Sequence, residues 1–125
     1  MIKKTSALIL FAHGARDPRW AAPFERLLQL VQQSVADEVG VHLAFLELMH
    51  PSLPEVVMQL AEYGCLRISV VPVFLGQGGH VSRDLPELIS RLEHDYPDVA
   101  FSLATAIGED ELVLQSIAQA CIRSS

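Results

Sequence analysis

The chain has 125 residues, of which half are apolar, and a formal net charge of −6 at neutral pH. This length supports one hydrophobic core and not two, and the ordinary charged fraction of 19% excludes a disordered chain. The acidic balance, without any cluster of Lys or Arg, argues against nucleic acid as a partner, because phosphate neutralisation supplies most of that affinity.

Membrane insertion and export are also disfavoured by the sequence. The longest apolar runs are about eight residues, whereas roughly 20 are needed to span a bilayer. The basic N-terminus is followed by an apolar stretch without a cleavage-site pattern, so it predicts a first strand and not a signal peptide. We therefore expect a single cytoplasmic domain, residues 1–125, with no membrane partner. Cys65 and Cys121 have neither Cys-x-x-Cys nor zinc-ribbon spacing, and both are predicted to be reduced core residues.

Strand-like and helix-like segments alternate four times along the chain. Short runs rich in Val, Ile and Leu predict strands at 5–12, 41–47, 66–75 and 99–103. Four βα units of this kind predict a doubly wound α/β fold, in which a four-stranded parallel sheet carries helices on both faces and the crossovers are right-handed. Pro72 conflicts mildly with a central strand, because such a strand needs its backbone N–H groups.

The helix boundaries follow from capping signals. Asp17 and Pro18 predict the start of the first helix, and Gly40 its end. Ser52-Leu53-Pro54-Glu55 is a capping-box pattern for a second helix that ends at Gly64. The third helix is predicted to begin near Ser82 or Asp84 and to run towards Tyr96, and the last to span 109–122.

Two histidines stand where a buried strand breaks into a glycine turn. His13 follows the first strand, and His80 closes the loop Gly76-Gln77-Gly78-Gly79-His80 after the third. Glu47 ends the second strand. The carboxyl ends of parallel strands line one crevice, so all three side chains converge if the first strand lies between the second and third. Two imidazoles and a carboxylate can hold a divalent metal ion with open coordination positions, or the carboxylate can accept protons.

Simpler interpretations exist for each of these residues. A histidine at a loop start often only hydrogen-bonds a turn, and Gly76, Gly78 and Gly79 can supply positive φ, although such a loop also lets backbone approach a ligand. A phosphate cradle is disfavoured, since neither Gly-x-Gly-x-x-Gly nor a Walker motif is present.

The remaining histidines are less informative. His50 is either an additional ligand or proton carrier, or a solvated loop residue. His42 and His94 are predicted to be structural.

Three further side chains border the predicted crevice. Arg16 and Arg83 each flank a key histidine, so they either bind substrate carboxylates or form ion pairs with the neighbouring Asp17 and Asp84. Trp20 either contacts a flat ring or, as the default for an aromatic side chain at helical spacing, packs in the core.

The combined motifs resemble those of a known family. His13-Gly14-Ala15-Arg16-Asp17, Phe45-Leu46-Glu47, Pro72-Val73-Phe74-Leu75 and Gly79-His80-Val81-Ser82-Arg83-Asp84-Leu85-Pro86 are similar, in order and spacing, to the motifs of the small sirohydrochlorin chelatases of the CbiX/SirB type. The similarity extends over essentially the whole chain. Ala15 departs from the family pattern, which often has serine there.

The resemblance implies a class II chelatase that inserts Co²⁺ or Fe²⁺ into sirohydrochlorin for cobalamin or sirohaem synthesis, without ATP or an organic cofactor. It does not decide between these metals and Ni²⁺. Long family members carry two similar halves, so a chain of this length is expected to be a chelatase-like half-domain that forms a homodimer. His13 and His80 would bind the metal, and Glu47 would take pyrrole protons or assist metal binding.

The substrate is expected at Arg16, Gly78, Gly79 and Arg83. The alternatives from other classes are a metal or tetrapyrrole carrier that uses the same histidines without turnover, and phosphoryl transfer through His13.

Overall fold

The computed structural model describes residues 4–76 and 78–125, without the side chains of His80 and Ser82. The four strands are β1 (Ser6–Ala12), β2 (Val39–Phe45), β3 (Arg67–Pro72) and β4 (Ala100–Leu103). The helices are α1 (Ala22–Ser34), α2 (Leu53–Glu62), α3 (Gly79–Asp95) and α4 (Glu111–Arg123), with 3₁₀ turns at Pro18–Ala21 and Ile107–Glu109.

All four strands form one parallel sheet in the order β2-β1-β3-β4. Leu10 of β1 stands opposite Leu43 on one side and Val71 on the other. The first strand therefore lies between the second and third, which is the arrangement that convergence of their carboxyl ends required. The predicted doubly wound α/β class is confirmed.

The core lies mainly on one side of the sheet. Ile9 and Phe11 of β1 are completely buried beneath α2 and α3, which contribute Val57 and Ile89 among others. On the other side α1 packs mainly against β2, where the Trp20 ring lies 4.5 Å from that of Phe24 in a small cluster that includes Ala12 of β1. Trp20 thus has the core role that is the default for its type. The residues of β1 are nearly all apolar because both faces of this strand are covered.

Two predicted helix boundaries were wrong. Gly40 does not end the first helix but lies buried in β2, because that helix already stops at Ser34 and a turn joins Ala36 to Val39. The third helix begins at Gly79 and not near Ser82 or Asp84, so His80 belongs to the first turn of α3 and not to the preceding loop. The sequence gives no signal for this start, because glycine has a low helix propensity. Gly78 caps the helix with extended backbone and no side chain.

The other differences have local causes. Pro72 is the last residue of β3, and its nitrogen faces away from β1, since the amide of the next residue, Val73, donates to Phe11. On that far side β4 has already ended at Leu103, which resolves the conflict. Both thiols are free as predicted, but only Cys65 is buried; Cys121 is exposed on α4, so its core assignment was wrong. No helix in the described part of the chain is both long and apolar enough to cross a bilayer.

Candidate functional site at the carboxyl ends of the strands

His13 and Glu47 are neighbours through their backbones. Two backbone hydrogen bonds join the segments that follow β1 and β2: the Leu46 amide donates to the Ala12 carbonyl at 2.8 Å, and the Glu47 amide donates to the His13 carbonyl at 3.1 Å. Glu47 lies two residues after β2, not at its end as predicted. These two bonds nevertheless bring a half-buried His13 and an exposed Glu47 to one edge of the sheet.

Gly14 makes this approach sterically possible. Its φ of +90° is strained for any residue with a Cβ atom, and a Cβ there would collide with the carbonyl oxygen of Glu47. Sequence reasoning assigned this kind of role to Gly76, Gly78 and Gly79, but a Cβ at each of those positions would meet open space. In the described chain the glycines with positive φ are Gly14 and Gly64. The His-Gly dipeptide was the signal that could have identified Gly14.

The His13 ring is oriented by an aromatic contact. Its centroid lies 4.4 Å from that of Phe74, with 38° between the ring planes. Phe74 follows β3, is only 2% exposed and also contacts Phe11. The imidazole is therefore held over the junction of β1 and β3 by a side chain that cannot move without disturbing the core. Phe74 therefore positions His13 from within the core, a role that its place in the motif Pro72-Val73-Phe74-Leu75 did not predict.

The loop after Glu47 has an unusual backbone. Leu48, an exposed leucine, adopts φ +65°, and the peptide bond between His50 and Pro51 is cis. Residues held in the left-handed region cost free energy and often occur at functional sites. No sequence signal identified Leu48, because leucine has no preference for this conformation.

His50 is tied to the start of α2. Its Nδ1 lies 2.8 Å from Oε1 of Glu55, and that carboxylate also accepts from the backbone of Ser52 in the predicted capping box. Hydrogen bonding to His50 first, and to Ser52 next, lowers the pKa of the Glu55 carboxyl. The ring of His50 is largely exposed, which agrees with a solvated loop residue.

The arginines near the histidines are exposed. Asp17 pairs with Arg19 at 2.7 Å, and its pKa falls because that side chain and backbone both donate to it. The suggested Arg16–Asp17 ion pair was therefore wrong. Arg16 instead lines an open cavity of 360 Å³, together with Leu48, Met49 and His50. Arg83 and Asp84 are exposed on α3, and within the described chain no ion pair joins them.

Part of the predicted metal site lies outside what the structure describes. The backbone of His80 is in the first turn of α3, directly after β3, but its side chain is outside the described residues. Among the side chains that are described, no group of three or more His, Cys, Asp or Glu could together hold a metal ion. The pairing of His13 with His80 as metal ligands stays a prediction.

The fold and this site define an α/β protein in which a histidine packed against Phe74 and a glutamate lie together at the carboxyl edge of the sheet. The sequence model of the CbiX family matches residues 7–124. The chain belongs to the CbiX family.

Curated relatives of the chain are named as sirohydrochlorin chelatases. The chain is 37% identical over 92 residues to the sirohydrochlorin cobaltochelatase of Methanopyrus kandleri, covering 74% of this chain and 63% of that protein. It is 29% identical over 111 residues to the sirohydrochlorin ferrochelatase of Bacillus subtilis, covering 89% of this chain and 42% of that protein. The chain thus spans less than two thirds of the length of these relatives.

Solved structures share the fold. The CbiX protein of Marinobacter aquaeolei VT8 superposes with a TM-score of 0.80 at 32% identity, covering 96% of this chain and 99% of that one. The sirohydrochlorin chelatase SirB of Bacillus subtilis subspecies spizizenii, crystallised in complex with cobalt, superposes with a TM-score of 0.78 at 28% identity. That match covers 92% of this chain and 49% of SirB.

Proposed function

We propose that this chain, as a single CbiX/SirB-like domain in the cytoplasm, inserts a divalent metal ion into sirohydrochlorin without ATP or an organic cofactor. The metal is Co²⁺ or Fe²⁺, with Ni²⁺ as a third candidate. The observation that carries the proposal is the direct backbone pairing of His13 with Glu47 at the carboxyl edge of the sheet. Relatives named cobaltochelatase and ferrochelatase support the same reaction class.

The reaction requires a metal ion whose coordination positions exchange ligands readily, and a proton acceptor close to it. One divalent ion replaces two pyrrole N–H protons, so the macrocycle loses two protons as four nitrogens bind the metal. We propose that His13 and His80 bind the incoming metal ion, since neutral imidazole binds borderline divalent metals. We propose that the carboxylate of Glu47 accepts the pyrrole protons, because Glu47 is exposed and lies next to His13.

Orientation of His13 is part of the proposed catalysis. The Phe74 ring restricts the imidazole before the metal arrives, which lowers the entropy lost when the ligand geometry forms. A chelatase must also release the ion into its product, so a site with few protein ligands suits transfer better than a closed tetrahedral site.

The acidic chain must still attract a substrate that has several carboxylates. We propose that Arg16, Arg83 and the N-terminus of α3 at Gly78 and Gly79 supply the local positive potential. Both guanidinium groups are exposed, and the first amides of a helix carry partial positive charge. Bidentate guanidinium contacts suit carboxylate recognition. We further propose a homodimer as the active form.

A turnover assay tests the proposal. Purified protein is mixed with an excess of sirohydrochlorin and with each of the three metal ions in turn, and insertion is followed by absorbance against a protein-free control. A chelatase converts many equivalents of substrate per chain. A carrier shifts the spectrum only up to one equivalent and then stops, which would contradict the proposed reaction while leaving metal or tetrapyrrole binding as the function.

A further inference from the structure

Leu48 lies at the centre of a strained turn. The Met49 amide donates to the Glu47 carbonyl at 2.8 Å, so these three residues form a turn, and the φ of Leu48 between them is +65°. A hydrogen bond of this span around a central φ of about +75° defines the γ-turn that is rare and strained. Glycine and asparagine adopt positive φ more readily than leucine does. The backbone conformation therefore does not explain why this residue is a leucine.

The turn is anchored to the body of the protein. The Phe45 amide donates to the Pro51 carbonyl at 2.9 Å, which closes the base of the loop that carries the turn. The Glu47 carbonyl lies so close to Gly14 that a Cβ there would collide with it. Since both the base and one side of the loop are held in this way, the position of Leu48 is set before any ligand arrives.

The side chain of Leu48 is not used for packing within its own chain. It is 60% exposed, although leucine is among the residues most often buried. A single exposed leucine on a protein surface needs no explanation. Leu48, however, combines exposure with a strained and anchored backbone, and it lies directly after Glu47 at the candidate site. An apolar ligand that covers this side chain would account for both features.

A second exposed leucine lies on the other side of His13. Leu75 follows β3 and is 67% exposed, and its carbonyl oxygen lies so close to Gly108 that a Cβ there would collide with it. In the sheet, β1 lies between β2 and β3. His13, which follows β1, therefore lies between the segment of Leu48 and the segment of Leu75. Two exposed leucines thus flank the histidine at the carboxyl edge of the sheet.

A guanidinium group lies near one of these leucines. Leu48 and Arg16 line the same open cavity of 360 Å³, which the buried side chains of Ala21 and Phe45 also line. A flat ligand with apolar faces and carboxylates on its rim suits this combination. Leucine removes the apolar face from water, and guanidinium binds a carboxylate. The tetrapyrrole of the proposed reaction is a ligand of this kind.

We propose that Leu48 is a positioning residue for the tetrapyrrole. Its side chain packs on a face of the macrocycle, and Leu75 contacts the ring on the other side of His13, so that the pyrrole nitrogens are held close to the metal ion. The identity of the ligand rests on the proposed function. Because the anchored turn holds Leu48 in place beforehand, less conformational entropy is lost when the macrocycle binds.

Binding of the tetrapyrrole without metal tests this role. Each purified variant is titrated with metal-free sirohydrochlorin, and the Kd is obtained from the change in absorbance. Leu48→Asn tolerates positive φ and nearly keeps the size of the side chain but makes it polar, so we expect the Kd to rise about tenfold or more. Leu48→Met stays apolar and should remain within about twofold of the unchanged protein. Leu66→Asn is the matched control, because Leu66 is 50% exposed but precedes β3 at the opposite edge of the sheet.

Urea unfolding separates lost contact from lost structure. Asparagine relieves the positive φ, so the unfolding midpoint of Leu48→Asn should not fall below that of the unchanged protein. A lower midpoint together with weaker binding would overturn the proposal, and so would a Kd equal to that of Leu66→Asn. Light scattering should give the same mass for Leu48→Asn and for the unchanged protein. A change in mass would also overturn the proposal, since Leu48 would then contact a second chain and not the macrocycle.

The insertion assay is scored separately from the binding titration. Leu48→Asn should raise the KM for sirohydrochlorin by about the same factor as the Kd, change kcat less, and leave the KM for the metal unchanged. If the unchanged protein binds sirohydrochlorin with this dependence on Leu48 but inserts no metal, the proposed chelatase is contradicted and the role of Leu48 stands. Insertion by Leu48→Asn with an unchanged KM for sirohydrochlorin would contradict that role and leave the chelatase standing. Absence of sirohydrochlorin binding by the unchanged protein would overturn both.

Discussion

The backbone amide of Glu47 donates a hydrogen bond to the carbonyl oxygen of His13 over 3.1 Å, just beyond the ends of β1 and β2. The two residues are separated by more than thirty positions along the chain, yet this backbone hydrogen bond makes them neighbours. Both residues therefore lie at one edge of the sheet because of this backbone pairing. Predictions about the site follow from this pairing.

Substitution of His13 should remove metal insertion without unfolding the protein. We expect His13→Ala to lower the insertion rate about 100-fold or more, because a ligand to the incoming ion is lost. His94→Ala, an exposed histidine near the end of α3, is the matched control and should leave the rate unchanged. The two variants are compared by their initial rates of insertion with Co²⁺ and sirohydrochlorin. A His13→Ala rate close to that of the control would contradict the assignment.

Glu47→Gln should reduce kcat while leaving the dependence on metal concentration nearly the same. The amide keeps the size of the side chain but cannot accept a proton, and loss of a general base costs about 100-fold or more. Glu62→Gln, which changes an exposed carboxylate at the end of α2, is the control. If the KM for metal rises instead and kcat stays high, Glu47 is a metal ligand and not the proton acceptor.

Arg16→Ala should weaken binding of sirohydrochlorin more than it slows insertion. We expect the KM for the tetrapyrrole to rise about tenfold, equivalent to about 1.4 kcal/mol, with little change in kcat. Arg26→Ala on α1 removes the same charge from an exposed position outside the cavity that Arg16 lines, and serves as control. Equal KM values for the two variants would show that only net charge matters.

Gly14→Ala should destabilise the fold and disturb the site together. The methyl group meets both a positive φ and the carbonyl oxygen of Glu47, so we expect a loss of about 2 kcal/mol or more in the free energy of unfolding. Gly76→Ala, where a Cβ meets open space, should change it by less than about 0.5 kcal/mol. Urea unfolding at neutral pH compares them. Equal midpoints would contradict the close approach of Gly14 to Glu47.

His42 should make the fold less stable in mild acid. Burial, and to a lesser extent the charge of Lys4, lowers the pKa of His42 below the value of about 6.5 of an unfolded chain. The unfolded state therefore binds the proton more readily, so stability is complete above that pH and declines as pH falls towards the folded pKa. His42→Asn should reduce this decline in urea midpoints between neutral and mildly acidic pH. His94→Asn is the control. If the urea midpoint of His42→Asn declines with falling pH as steeply as that of the unchanged protein, His42 does not cause the loss of stability in mild acid.

The sequence could predict the strands and helices because each repeats its apolar residues at the spacing that its own geometry buries. It could also place His13 and Glu47 close to strand ends, since a buried run is visibly interrupted there. The start of α3 was missed because Gly78 and Gly79 carry no helix signal, and the role of Gly14 was missed because the carbonyl it must avoid belongs to Glu47 on another strand.

By itself the sequence determined the α/β class and the alternation of elements, and it indicated the candidate site residues, because these depend on patterns within a few turns or strand lengths. Tertiary structure decided which strand lies between which, how Phe74 orients His13, and that α4 packs without burying any of its own residues within the described chain. Those outcomes depend on contacts between atoms distant along the chain, where packing and backbone pairing outweigh local preference.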